Sequence, residues 1–160
     1  MELKLVPVAI PDNANVIIGQ SHFIKTVEDL YEVMVTSVPG AAFGLAFNEA
    51  SGACLVRVEG HDEELRAAAV ATALALGSGH TFVLYLRNAF PINVLNRIKD
   101  CPEVCRIFCA TANPLQAVVA ESAEGRGMLG VIDGSSPKGV ETDADREWRV
   151  GFLRKIGYKR

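Results

Sequence analysis

The sequence predicts an α/β protein, a three-layer αβα sandwich built around a mixed sheet. Apolar runs with the two-residue period of strands alternate with segments of helical period. One pair of apolar runs is separated only by the turn residues 48–52, which is typical of an antiparallel hairpin. Because helical segments join the other runs, we expect parallel as well as antiparallel strand pairs, with helices on both faces of the sheet.

Length and charge limit the class of protein. The 160 residues are predicted to form one domain over 1–160, since a chain of this length buries roughly two thirds of its unfolded surface. The formal net charge of −3 argues against nucleic acid as a partner. The uncharged run 67–86 is interrupted by Gly-Ser-Gly-His, so it predicts a helix and a strand and no membrane span. Glu2, Lys4 and Pro7 prevent a signal-peptide core, so we expect a cytoplasmic protein.

Eight segments have the composition of strands. They lie near 2–9, 15–20, 41–47, 53–58, 80–86, 104–109, 115–120 and 127–133. The first helix is predicted over 27–38, with Thr26 and Asp29 in capping-box positions. The second begins at Asp62 and ends at Gly77, because aspartate suits a helix start and glycine a helix end.

Two further helices follow. Pro91 begins the third, since proline fits the first helical turn. Thr142 and Asp145 open the fourth, and Gly157 ends it. The side chains expected to face the core are Ile92, Leu95 and Ile98 in the third helix and Trp148, Phe152 and Ile156 in the fourth.

Residues 125–130 have the pattern G-x-G-x-x-G, but their context excludes a dinucleotide-binding motif. Such a motif needs a strand before the glycines and a helix after them. Here a polar segment precedes the glycines and an apolar strand follows. What remains is a flexible loop in which Arg126 and the N–H groups of Gly125 and Gly127 can hold an anion.

The four cysteines do not predict a metal site. Cys101, Cys105 and Cys109 are spaced by four, and Pro102 with the β-branched residues after it favours a strand. The spacing lacks the close C-x-x-C pairs of structural zinc sites. We expect buried thiols and no bound metal.

His80 is the strongest candidate for chemistry. It follows Gly77-Ser78-Gly79 at the junction of an apolar helix and an apolar strand, which fixes its backbone and leaves small neighbours around the ring. A nucleophilic histidine needs that combination. The alternative is that the glycines only cap the helix and His80 is an ordinary histidine at a strand start. Asn48, Asn113 and Asp133 are polar residues next to apolar segments. Each is compatible with a turn as well as with a ligand contact.

Five blocks of sequence resemble the adenosine-specific kinase family over nearly the whole chain. They are FGLAFNEASG at 43–52, GSGHTF at 77–82, FPINVL at 90–95, VCRIFCATANP at 104–114 and GRGMLGVIDG at 125–134. The resemblance implies a homo-oligomer, a trimer or hexamer, that binds adenosine or an adenine nucleotide. It also implies a histidine that holds a phosphoryl group, which we assign to His80. The expected cofactor is ATP or another phosphoryl donor, and magnesium is an optional one.

These inferences combine into one hypothetical site. His80 takes the phosphoryl group, while Gly125, Arg126 and Gly127 bind its oxygens. Asp133 either binds magnesium or orients the adenosine hydroxyl. Asn113 and Asn48 contact adenosine. The hypothesis requires the His80 strand to run antiparallel to the strands that end near Asn113 and Asp133. The competing function is a module that senses adenosine or AMP without turnover.

Overall fold

Every strand and helix expected from the periodicity is present in the computed structural model, which describes residues 1–160. The strands are β1 (Glu2–Val8), β2 (Asn15–Ser21), β3 (Ala42–Asn48), β4 (Val56–Gly60), β5 (Thr81–Arg87), β6 (Val104–Thr111), β7 (Leu115–Glu121) and β8 (Arg126–Asp133). The helices are α1 (Thr26–Ser37), α2 (Glu63–Leu76), α3 (Pro91–Lys99) and α4 (Asp143–Lys155).

The strands form two sheets, one of five strands in the order β4-β3-β5-β2-β6 and one of three in the order β1-β7-β8. All strand pairs are antiparallel, which differs from the mixed sheet expected from the sequence. The helical crossovers do join strands of the same direction, but those strands are not neighbours. Helix α1 joins β2 to β3 around β5, α2 joins β4 to β5 around β3, and α3 joins β5 to β6 around β2. An antiparallel strand occupies each gap.

The predicted α/β sandwich is confirmed, but one of its outer layers combines a helix with a second sheet. Helices α1 and α3 cover one face of the five-stranded sheet, where Leu30 and Ile98 pack with Phe43. The other face is covered by α2 and, beside it, by the three-stranded sheet, so that Leu65 and Ala117 belong to the same core. A layer of helix and sheet side by side therefore replaces the second layer of helices.

Helix α2 lies unusually close to β3. Gly44 allows this approach, because a Cβ atom at this position would overlap the backbone of Leu65 and Arg66. The contact fixes the height of α2 above the sheet. It thereby fixes where the C-terminal end of α2 meets the β3–β4 hairpin.

Strand directions separate the predicted site residues. Both β5 and β6 are antiparallel to β2, so they run parallel to each other. Tyr85, Val16 and Thr111 form one row across these strands. His80 lies five residues before Tyr85, which is roughly 17 Å at about 3.3 Å per residue. The start of β5 and the end of β6 therefore lie at opposite ends of the strands of this sheet.

Other sequence expectations also differ from the structure. Strand β4 begins at Val56, because Cys54 adopts a left-handed backbone conformation (φ 50°) and lengthens the hairpin turn. Helix α4 has no buried residue, so its three apolar residues do not reach a core within the chain. Cys109 is buried, whereas Cys54 and Cys105 are exposed and Cys101 is partly exposed. None of the helices is both long and apolar enough to span a membrane.

Candidate functional site

A cavity of about 400 Å³ opens where three segments meet. The β3–β4 hairpin contributes 48–50, 54 and 56, the end of α2 contributes 73–74, 77 and 79, and the β7–β8 turn contributes 124–126. Three of the predicted residues, Asn48, Gly125 and Arg126, are thus brought together. A wider groove of about 500 Å³ between α1 and β4 contains none of the predicted residues, so the smaller cavity is the candidate site.

Asn48 connects the hairpin to the end of α2. Its side-chain nitrogen Nδ2 donates to the carbonyl oxygens of Ala73, at 2.9 Å, and Ser78, at 3.0 Å. The residue is buried, and both amide protons are committed to these structural bonds. Only the side-chain oxygen Oδ1 is left to contact a ligand, and it can only accept a hydrogen bond.

His80 follows the lining residue Gly79 but does not itself line the cavity, and its ring packs on Phe47, which faces α1 and α3 on the other side of the sheet. Its backbone is left-handed (φ 60°), its N–H donates to the Asn48 carbonyl at 2.7 Å, and its carbonyl accepts from the Ser21 N–H at 3.0 Å. The half-buried imidazole lies parallel to the Phe47 ring, with centroids 5.9 Å apart, and neither ring nitrogen hydrogen-bonds within the chain. No carbonyl or side-chain acceptor within the chain therefore orients the imidazole.

The backbone of His80 carries strain. A left-handed conformation costs a non-glycine residue roughly 1–2 kcal/mol, and such residues are concentrated at functional sites. Here the hydrogen bonds to β3 and to the end of β2 hold the conformation. The rigid backbone and the free ring nitrogens meet two of the requirements for a nucleophilic histidine.

Arg126 is partly committed to holding the fold. Its Nε hydrogen-bonds to Glu121, and its Nη1 donates to the Ala75 carbonyl at 3.0 Å. Hydrogen bonds from Lys4 and Arg126 hold the pKa of Glu121 below its ordinary value, so this carboxylate stays charged and offsets the charge of the guanidinium. The Nη2 group is the donor that remains for a ligand.

The end of α2 makes one side of the cavity electronegative. The last turn of a helix carries a partial negative charge, and α2 has no basic residue there. Glu49 and Glu124 add carboxylates to the lining, although Glu49 is paired with Arg57. This side suits hydrogen-bond donors such as the amino group of adenine or ribose hydroxyls better than phosphate oxygens.

An ionic cluster around the buried Glu103, joined to His80 through the backbone, was not predicted from the sequence. Glu103 is 1% exposed, and its carboxylate oxygens form no hydrogen bond, although Lys25 Nζ lies 3.3 Å from Oε2. Lys25 hydrogen-bonds to Asp29, which raises the pKa of the lysine and lowers that of the aspartate. The backbone of 21–22 connects the cluster to His80, because its N–H groups donate to the carbonyls of His80 and Glu103. Glu103 follows a proline in a polar loop, a context that indicates exposure.

Asn113 and Asp133 do not reach the cavity. Asp133 is seven residues beyond Arg126 on β8, roughly 23 Å away at about 3.3 Å per residue. Its Oδ1 accepts hydrogen bonds from Thr111 Oγ1 at 2.8 Å and from Asn113 Nδ2 at 3.0 Å. The Asn113 N–H donates to Thr111 Oγ1 at 3.0 Å. These residues stabilise the turn at the opposite edge of the sheet, and they do not share a site with His80.

Comparisons with known proteins cover nearly the whole chain and agree with this fold. The family model described as adenosine specific kinase matches residues 6–159, which include the cavity and His80. The crystal structure of the PH1918 protein from Pyrococcus horikoshii OT3 is similar to this chain, with a TM-score of 0.95 and 44% sequence identity. That similarity covers 99% of this chain and 98% of the other. Among curated proteins, no match is found.

Proposed function

The chain belongs to the adenosine-specific kinase family, and from this premise we propose that it is a cytoplasmic, homo-oligomeric enzyme that phosphorylates adenosine through a phosphohistidine at His80. One observation carries the proposal. His80 follows the cavity-lining Gly79 and is held rigidly by backbone hydrogen bonds, with both ring nitrogens free of hydrogen bonds within the chain.

The reaction has two in-line steps. In the first, the unprotonated ring nitrogen of His80 attacks the γ-phosphorus of ATP, and the P–O bond to ADP breaks with its electron pair leaving on ADP. In the second, the 5′-hydroxyl oxygen of adenosine attacks the phosphorus. The N–P bond breaks, its electron pair returns to the imidazole, and the hydroxyl proton passes to solvent. The products are ADP, AMP and the original histidine.

The residues of the cavity receive separate roles. Asn48 Oδ1 accepts a hydrogen bond from the adenine amino group. Arg126 Nη2, with the backbone N–H group of Gly125, binds phosphoryl oxygens, whereas Gly127 pairs with Ala120 of β7 and lies outside the cavity. Glu49 is paired with Arg57, so Glu124 is the carboxylate that fits a magnesium ion brought in with ATP. Magnesium would neutralise charge on the transferred phosphoryl group.

The test is the intact mass of the protein before and after incubation with ATP and magnesium, kept at neutral or alkaline pH because a phosphoramidate is acid-labile. We expect a gain of one phosphoryl group that is lost on acidification or on addition of adenosine, with AMP as product. The matched variant is His80→Asn, because asparagine tolerates a left-handed backbone and cannot be phosphorylated on a ring nitrogen. It should fold, bind adenosine and gain no mass.

Two outcomes would contradict the proposal. If AMP is formed at an equal rate by His80→Asn, transfer is direct and His80 is not the acceptor. If adenosine binds in calorimetry but neither AMP nor phosphorylated protein appears, the chain is a sensing module. The electronegative end of α2 and the paired Arg126 favour that second function, since both weaken a phosphate site.

A further inference from the structure

The three-stranded sheet leaves one face uncovered. Its inner face packs into the core through residues such as Ala117 and Val119. The outer face is apolar and open: Leu3 is 65%, Leu5 56% and Leu129 61% exposed. Pro7, Val118, Ala120 and Ile132 also face outward, and Gln116 is the polar residue among them. The seven apolar residues are called the outer sheet face below.

The C-terminal segment carries a second uncovered apolar surface. Residues 135–160 are all exposed except Leu153, and they are called the C-terminal arm. Within α4, the rings of Trp148 and Phe152 stack with their centroids 5.2 Å apart, and Ile156 continues the same stripe one turn later. Trp148 is 69% exposed. The stripe is thus well formed but has nothing to pack against.

Helix α4 needs a partner to be stable. Isolated helices shorter than about 12–15 residues are marginal in water, and α4 has 13 residues. Its capping box at Thr142 and Asp145 helps to start the helix, but caps contribute only about 1 kcal/mol. The arm does not cover the outer sheet face of its own chain, because both surfaces are exposed in the same structure.

We propose that the C-terminal arm of one copy docks on the outer sheet face of a second copy. The dimensions agree. A helix of 13 residues is about 20 Å long and 10 Å wide. Three strands of seven to eight residues present a face about 23 Å long and 10–14 Å wide. One helix therefore covers one such face, as helices cover sheets elsewhere in this fold.

The area is also close to what a stable contact requires. Half the lateral surface of the helix is about 300 Å², and the sheet face has a similar area. One arm–face contact therefore buries about 600 Å² in total, and a reciprocal dimer, which contains two such contacts, buries about 1,200 Å², the lower end of the range of specific interfaces. The contact joins unlike surfaces, so it propagates from copy to copy and closes into a ring or a reciprocal dimer.

Single charge substitutions test the docking in the full chain. Phe152→Glu alters the arm, Leu5→Glu alters the face, and Ile92→Glu is the control on the exposed surface of α3. In sedimentation experiments at matched concentrations, wild type and Ile92→Glu should be oligomers. Phe152→Glu and Leu5→Glu should each be monomers. The β-sheet signal in their circular dichroism spectra should be unchanged. The single tryptophan, Trp148, should emit at longer wavelength in both monomeric variants.

A mixture of the two monomeric variants gives the sharpest result. The Leu5→Glu chain retains an intact arm and the Phe152→Glu chain an intact face, so their equimolar mixture can form one arm–face contact and should associate at high concentration, more weakly than wild type and more strongly than either variant alone. Three results would overturn the inference: an oligomer that survives either substitution, no complex in the mixture, or a wild-type monomer at every concentration. In the last case, blue-shifted Trp148 emission would show that the arm closes on its own chain. If Leu5→Glu fails to fold, Leu129→Glu tests the same face.

Discussion

At the scale of single residues, Asn48 is mainly a structural residue that also borders the candidate site. Replacing it with alanine removes one hydrogen bond from each of the carbonyls of Ala73 and Ser78, which keep the backbone donors of Gly77 and Thr81. A net contribution of about 0.5–1.5 kcal/mol per hydrogen bond predicts that Asn48→Ala lowers the free energy of unfolding by about 1–3 kcal/mol. Urea denaturation followed by circular dichroism measures this loss.

The matched control for Asn48→Ala is Asn113→Ala. Asn113 is exposed, and its side chain makes a single hydrogen bond, to Asp133. We expect less than about 1 kcal/mol of destabilisation, since exposed hydrogen bonds contribute little. Equal losses in the two variants would mean that the bonds from Asn48 do not hold the end of α2.

Because of Cys109, the free energy of unfolding should depend on pH in the alkaline range. Burial raises the pKa of its thiol from 9.0 to about 11 in the folded chain. Between pH 9 and 11 the unfolded chain has released this proton and the folded chain has kept it. Stability therefore falls as pH rises through that window, by roughly 2–3 kcal/mol for two pKa units. Denaturation curves at pH 8, 9, 10 and 11 should show the decrease.

Comparison with Cys109→Ala isolates this effect. Burial also raises the pKa of Tyr85, which adds a decrease of the same sign, but this contribution is common to both proteins. The difference in stability between wild type and variant should therefore shrink across the window. A difference that stays constant with pH would show that the Cys109 thiol does not retain its proton on folding.

At the scale of elements, the contact of α2 with β3 depends on a single glycine. A Cβ atom at Gly44 would overlap the backbone of Leu65 and Arg66, which no side-chain rotation can relieve. We expect Gly44→Ala to destabilise the fold by at least about 1–3 kcal/mol, as overpacking does in other cores. Thermal or urea unfolding of the variant gives this value.

The shift of α2 should also reach the candidate site, because the last turn of α2 forms part of the cavity. Adenosine binding by Gly44→Ala is therefore expected to weaken as well. Gly139→Ala is the control, since a Cβ atom there meets nothing within 4 Å. A Gly44→Ala protein as stable as the control would mean that α2 is not held tightly on β3.

At the scale of the whole molecule, Tyr85 connects three parts of the fold. Its hydroxyl lies 2.9 Å from Thr72 Oγ1 of α2 and donates to the Ala9 carbonyl, just after β1, at 2.8 Å. Tyr85 itself belongs to the five-stranded sheet. We expect Tyr85→Phe to cost about 1–3 kcal/mol, because it leaves buried polar groups unpaired.

The same variant tests whether the two sheets unfold together. They share one core, so unfolding should remain a single transition with an unchanged denaturant dependence. Tyr31→Phe is the control, as the Tyr31 hydroxyl makes no hydrogen bond in the chain. Two separate transitions in Tyr85→Phe would mean that the three-stranded sheet is an independent unit.

Periodicity was sufficient to predict every helix and strand, since this signal is local, but the capping box predicted at Thr26 and Asp29 does not form, because Lys25 is the N-cap residue of α1. Asp62 and Gly77 were predicted to start and end α2, and they are its N-cap and C-cap residues in the structure. Thr142 caps α4 as expected. The blocks of sequence around His80 and Gly125 were likewise sufficient to predict the family. The sequence by itself therefore determined the elements, the fold class and the relationship to known proteins.

Only the tertiary structure decided which candidate residues meet. His80, Asn48 and Arg126 come to one edge because β3, β5 and β8 bring their polar ends there, whereas Asp133 and Asn113 end at the other. Glu103 is buried although its neighbours are polar, and Trp148 is exposed although its spacing predicts burial. Strand direction and burial depend on contacts between residues far apart in the chain, so the local pattern of residues does not predict them.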